Sequence, residues 1–413
     1  MDGTKVPSKP VVYIGSQELA KISSLLPSNQ RRSVIVHSLI NSLGLMSNST
    51  GESKRRLRVV TPQRATRKDL AVYHTEDYLD MVLTPLENTT PSISADADFG
   101  LEDDCPLFAG LSEYVELVAG ATLTAARALQ QDLTDISICW DGGRHHARKS
   151  QASGFCYVAD CILAILALKK PLQAPLPGGA PRSQSHQRPR VMYLDLDLHF
   201  SDAVSEAFYS PRASVTSQIL TLSIHHSSPG FYPASELGKV SDAESDDFDP
   251  FTLSIPLLQG ASAVTYANIW PIVERIKDVF KPSYTIVQCG TDALAGDPCA
   301  TFNWSLGNVD GSMGWCIRQI MQWPGKKLLL GGGGYNSPNT ARAWAYLTSI
   351  ALDDPLDLSM EIPDHVGFPL YAPSFTLDVP AGNMIDQNYE DYLTKIHANF
   401  EGVITALENK FNY

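Results

Sequence analysis

Val191-Met-Tyr-Leu-Asp195-Leu-Asp197-Leu-His199 constrains the fold more than any other stretch of this chain, because an apolar run suited to a sheet interior carries two carboxylates and an imidazole at alternate positions. Side chains alternate faces along a strand, so Asp195, Asp197 and His199 point the same way. Burying two like charges side by side is too costly without a compensating cation, and a divalent metal is the commonest one. The stretch reads as half a metal site at the C-terminal end of a strand. An exposed edge strand with one polar face fits less well, because Val191, Tyr193, Leu194, Leu196 and Leu198 leave little polar surface outside the triplet.

Short β-branched and apolar runs recur at Val11–Gly15, Leu57–Val60, Ile136–Cys139, Val191–Leu196, Ile219–Ile224, Tyr284–Gln288 and Lys327–Leu330. Between them, Leu111, Tyr114, Val115 and Val118, and again Ile269, Ile272, Val273 and Ile276, follow helical spacing. Pro271 should kink or start the second helix. Strand–helix alternation predicts an α/β fold with a mostly parallel sheet covered on both faces, and ligands beyond the strands' carboxyl ends. No low-complexity break divides the 413 residues, so one large domain is expected. Residues 1–10 are expected to be a flexible N-terminus, Leu172–Arg190 a mobile insertion, and the acidic run Asp242–Asp249 a solvated loop.

The formal net charge of -13 argues against direct nucleic-acid binding and favours cationic peptides or tails. Seven scattered cysteines without a C-x-x-C pair suggest a reducing compartment and no thiolate zinc cluster. No apolar stretch is long enough for a membrane span. The Lys54-Arg-Arg-Leu-Arg58 cluster suits a nuclear import signal, although such a run is more often a solvated loop before a strand.

A third acidic ligand should come from another strand end, and Tyr284–Gln288 runs through Cys289-Gly290-Thr291 into Asp292. With Asp197 and His199 it would leave the open position that hydrolytic metals need, with Asp195 behind them; a helix N-cap or turn suits Asp292 equally well. His145-His146, after the strand Ile136–Cys139, could move protons near neutrality, with Asp195 and Asp202 to orient the rings. Gly331-Gly-Gly-Gly334 permits close backbone approach, and the Tyr335 hydroxyl could polarise a carbonyl; a simple flexible turn also fits. Ser153-Gly-Phe-Cys-Tyr157 and Ser228-Pro-Gly-Phe-Tyr-Pro233 suit the walls of an apolar channel, or plain core packing.

Taken together, His145-His146, Ser153–Tyr157, Asp195-Leu-Asp197-Leu-His199, Ser228–Phe231, Asp292 with Ala295-Gly-Asp297-Pro298, and Gly331–Tyr335 resemble the zinc-dependent class I histone deacetylases. The likeness runs from about Val11 to about Asp378 and is greatest to the short type called histone deacetylase eight and its fungal relatives. It implies a three-layer arginase-like domain over residues 11–410, built on an eight-stranded sheet. It further implies zinc on Asp197, His199 and Asp292, an acid–base pair of His145 and His146 backed by Asp195 and Asp202, and Tyr335 facing the acetamide oxygen. Phe155 and Tyr232 would flank the substrate's methylenes, with Gly154, Gly333, Cys299 and the rim residue Asp104 completing substrate contacts. Arg32 would line an acetate channel, and a structural potassium would sit at Asp195, Asp197, His199, Ser223 and Ile224.

The implied function is removal of acetyl groups from Nε-acetyl-lysine in histones and other proteins, a cohesin subunit among them, in nucleus and cytoplasm and in company with corepressor subunits. An Asp2His site also accepts iron or cobalt. The chain departs from the family pattern at Phe200, Ser201, Asp141, Arg144, Tyr232 and Cys299, positions that bear on rate, substrate preference and inhibitor fit; at Phe200 local repacking is expected. Two other readings stay open: an amidohydrolase of acetylated polyamines, and a catalytically weak corepressor scaffold.

Overall fold

The computed structural model describes residues 9–47, 55–85, 98–171, 188–211, 217–307 and 309–411. Most of the expected insertion (172–187), residues 1–8 and Lys54 of the basic cluster lie outside them. Eight strands, β1 (Val11–Ile14), β2 (Leu57–Val60), β3 (Ile136–Cys139), β4 (Val191–Asp195), β5 (Ile219–His226), β6 (Thr252–Leu257), β7 (Tyr284–Gln288) and β8 (Lys326–Leu330), form one sheet in the order β2-β1-β3-β8-β7-β4-β5-β6. Every pairing is parallel.

Alternation along the strands divides the interior into two layers. Tyr13, Ile138, Met192, Leu194, Leu222 and Val287 pack with apolar residues of helices Ala263–Phe280, Ser337–Ala351 and Glu390–Phe411 on one side. Val12, Ile14, Tyr193, Ile286, Leu328 and Leu330 pack with helices Leu111–Gln130 and Asp160–Leu168 on the other. Strands buried on both faces explain the continuous apolar runs.

Three expectations need amending. β6 escaped notice because Ser254 and Pro256 interrupt its apolar pattern; it is the sheet's edge, where a missing N–H costs no ladder bond on the outer side. Pro271 does not start its helix, which begins eight residues earlier and runs on to Phe280. Asp249 is no part of a solvated loop: it is buried, and its carboxylate accepts hydrogen bonds from the amides of Ser210 and Phe251 and the Thr252 hydroxyl. The basic cluster runs into edge strand β2, where Leu57 is buried and Arg58 exposed.

Candidate active site

β3, β8, β7 and β4 are neighbours at the middle of the sheet, and their last residues form one row: Cys139 pairs with Leu330, Leu330 with Gln288, and Gln288 with Asp195. The four loops that leave this row carry His145-His146, Gly331–Tyr335, Asp292 and Asp197–His199. Residues distant in sequence therefore meet at one end of the strands, where α/β sheets bind ligands.

The Asp197, His199 and Asp292 side chains converge. His199 Nδ1 lies 2.9 Å from Asp292 Oδ2 and 3.3 Å from Asp197 Oδ1. Asp197 also accepts hydrogen bonds from Gln288 Nε2 (2.8 Å) and the Gly333 amide (2.7 Å), while Asp292 Oδ1 accepts from the Leu198 amide (3.0 Å). Two buried carboxylates against one imidazole leave excess negative charge that a divalent cation completes, and the O,O,N donor chemistry suits one. Burial and the neighbouring Asp197 push the Asp292 carboxyl up to about 7. Burial opposes protonation of His199, yet its bonds to the two carboxylates outweigh this and push it up to about 10. Close packing here requires glycine: a Cβ on Gly290 would stand 2.0 Å from Asp197 Oδ2, and one on Gly333 2.2 Å from Asp292 Oδ2.

Each member of the histidine pair has its own carboxylate. His145 Nδ1 lies 2.9 Å from Asp195 Oδ2, which also accepts from the Tyr193 hydroxyl at 2.5 Å. His146 Nδ1 lies 2.7 Å from Asp202 Oδ1, whose other oxygen bonds Arg148 at 2.7 Å. With Nδ1 committed, both Nε2 atoms are left for chemistry. The rings are 4.0 Å apart between centroids, and their environments differ. Burial opposes a charge on His145, but Asp195 and Asp197 hold it up at about 9; burial and then His145 press His146 down to about 4.

A cavity lined by Gly143, Arg144, His145, His146, Phe155, Asp197, Gly333 and Tyr335 joins these groups. The Phe155 ring meets Tyr335 edge-on at 5.7 Å, and Tyr232 lies 5.0 Å from His146. Burial, reinforced by Asp292 and Asp197, keeps the Tyr335 phenol protonated well beyond its usual range. Gly154 adopts φ 55°, and a Cβ there would strike the His146 ring at 2.4 Å. Asp104 accepts a hydrogen bond from the Gly154 amide at 2.9 Å, so this carboxylate braces the loop that carries Phe155.

The histone deacetylase domain family model matches residues 26–351. The chain belongs to the histone deacetylase family. It is 36% identical to "Histone deacetylase 8" of Xenopus tropicalis over 393 residues, 95% of this chain and 96% of that protein. Identity to "Histone deacetylase 8" of Danio rerio is 36% over 396 residues, 96% of this chain and 95% of the relative, and to "Histone deacetylase 1" of Homo sapiens 33% over 373 residues, 90% and 69%. Membership of the histone deacetylases implies a metal ion, and among the described residues the one cluster of metal-type donors comprises His199, Asp292 and Cys299, all within 4.8 Å of one another, while Asp197, 3.3 Å from His199, stands outside that group. Cys299, expected at the rim, thus also reaches inward.

The family departures have local partners. Asp141 is bonded by His37 Nε2 at 2.8 Å, and His37 Nδ1 in turn lies 2.7 Å from the Tyr13 hydroxyl, so its charge is held away from the histidine pair. The Arg144 guanidinium bonds the Asp141 carbonyl, and its amide bonds Asp160 at 2.7 Å. Phe200 is buried against His225, and the Tyr232 hydroxyl meets Ser153 Oγ at 2.7 Å. Arg32, expected in an acetate channel, donates to the carbonyls of Gly334 and Gly332 and braces the glycine loop. Of the expected potassium residues, β4–β5 pairing sets Asp195 opposite Ser223.

Sequence reasoning missed Gln288, whose amide clamps Asp197 and the Gly290 N–H together, and left Asp297 without a role. Asp297 Oδ2 accepts from the Tyr335 and Asn336 amides at 2.7 and 3.1 Å, and Oδ1 from the Cys299 amide at 3.0 Å. A polar residue closing the buried strand Tyr284–Gln288 was the available signal for Gln288.

Proposed function

We propose that this chain hydrolyses the amide of Nε-acetyl-lysine in proteins, with a divalent metal held by Asp197, His199 and Asp292. One observation carries the reading: these donors, two separately oriented histidines and a protonated phenol line or adjoin the same cavity. A bound metal supplies Lewis-acid polarisation of the amide carbonyl and a water that is acidic near neutral pH.

The chain's residues do the rest. Phe155 and Tyr232 flank the lysine methylenes, Gly154 and Gly333 leave room for them, and Asp104 marks the rim. The Tyr335 hydroxyl donates to the carbonyl oxygen as negative charge develops on it. His146, nearer the tunnel wall, takes the proton of the attacking water through Nε2. His145, held by Asp195, gives a proton to the departing amine, while Asp202 keeps His146 in its tautomer. A neutral acetyl-lysine passes between the Phe155 and Tyr232 rings more readily than the charged product ammonium does. Zinc is the resident metal of this reading, with iron or cobalt as alternatives. It also includes a structural potassium at Asp195, Asp197, His199, Ser223 and Ile224, a passage for acetate beside Arg32, and acetylated histones among the substrates in nucleus and cytoplasm.

The test is a panel of acetyl-lysine peptides and acetylspermidine assayed alongside metal analysis. Peptide turnover with one class of divalent metal bound is expected. Turnover of acetylspermidine alone, or a full metal load in Asp292→Asn, would overturn the substrate or the ligand assignment respectively.

A further inference from the structure

Three protein donors make an open metal site, and a cysteine stands beside two of the proposed donors. The Cys299 thiol sulfur, a His199 ring nitrogen and an Asp292 carboxylate oxygen all lie within 4.8 Å of one another. Of the seven cysteines, six are buried; Cys299 alone is partly accessible. Its place is fixed by its own loop: the Cys299 and Ala300 amides both bond Asp297, the Thr301 hydroxyl bonds the Cys299 carbonyl at 2.8 Å, and Ala300 turns through φ 47°. A thiolate is a strong ligand for zinc and cobalt, and four protein donors make the closed type of site, whereas three leave an open one.

We infer that Cys299 is a fourth, displaceable donor to the metal, so that the resting site is capped by the chain's own thiolate. The inference rests on the proposed Asp197, His199 and Asp292 set. On capping, the S–H bond breaks, a sulfur–metal bond forms and the proton leaves to solvent; on displacement by substrate or water the sulfur is reprotonated. The cap gives the enzyme a resting state that substrate must open, and one that thiol-modifying agents can reach.

The experiment uses the full chain loaded with cobalt, compared with Cys299→Ser and Cys299→Ala. The wild type should show a near-ultraviolet sulfur-to-cobalt charge-transfer band that both variants lack at equal metal content. X-ray absorption of the zinc form should show a sulfur neighbour at about 2.3 Å. Metal bound equally in all three with identical spectra and only nitrogen and oxygen neighbours overturns the cap and leaves the three-donor site standing. No metal bound by the wild type overturns both. Acetyl-lysine peptide added to the cobalt wild type should diminish the band; a band indifferent to saturating peptide means a permanent ligand and overturns displacement.

Discussion

Single side chains set the chemistry, and two of them give sharp tests. Replacing Tyr335 with Phe removes the hydroxyl proposed to face the developing oxyanion while keeping the ring against Phe155; kcat should fall by about 10²–10³ with metal content unchanged. Steady-state kinetics with metal analysis reads both halves. Gln288→Leu removes the amide that holds Asp197, and metal affinity should fall roughly 10–100-fold, measured by competition with a chelator. Asp197 and His199 stood out because a carboxylate and an imidazole at alternate positions ending a buried strand have few other uses, whereas Asp292 suited a cap or turn equally well and was singled out by the family resemblance. Gln288 was not, since an uncharged amide closing a strand carries no charge to demand a partner. Cys299 was read only as far as the rim, because the reach of a loop thiol depends on backbone turns that residue types do not specify.

Elements place those side chains, and helix Leu111–Gln130 shows how closely. Gly120 lies where a Cβ would stand 2.0 Å from the Gln63 carbonyl oxygen and 2.6 Å from the Ala65 nitrogen. Alanine improves helix propensity by about 1 kcal/mol, but here the backbone contact dominates. Gly120→Ala should therefore lose about 1–3 kcal/mol net, as overpacking does, read from the urea midpoint. Seven of eight strands were legible as short β-branched and apolar runs, and the buried faces of two long helices from their period. β6 was not, because an edge strand is free to carry proline and its pattern then resembles a turn. Pro271 misled about its helix's start in the opposite sense: proline inside a well-packed helix is outvoted by the apolar stripe Ile269, Ile272, Val273 and Ile276, all buried.

At the scale of the whole molecule, pH and salt are the levers. Burial presses His74 down to about 4 against the pull of the Lys149 carbonyl beside Nδ1, and the Ala159 amide donates to Nε2, a bond that only the neutral ring can accept. As pH falls below about 6.5 the unfolded chain takes up this proton first, so stability drains away between pH 6.5 and 4, by about 3 kcal/mol from this group. A His74→Gln variant should show a flatter dependence of urea unfolding across that window; an unchanged slope would discard the assignment. The net charge of -13 draws cationic peptides in, so KM for acetylated Lys- and Arg-rich peptides should rise with ionic strength while kcat holds. No described helix is long and apolar enough to cross a membrane.

The strand order carries a consequence for how the molecule comes into being. Within the sheet, β2-β1-β3 and β7-β4-β5-β6 touch each other only through β8, which arrives last. Lys326–Leu330 is thus a keystone: until it slides between its two neighbours, the histidine pair and the proposed metal ligands belong to separate wings. A chain ending before residue 326 lacks the strand that joins the two wings in the sheet, and the catalytic geometry has to wait for it.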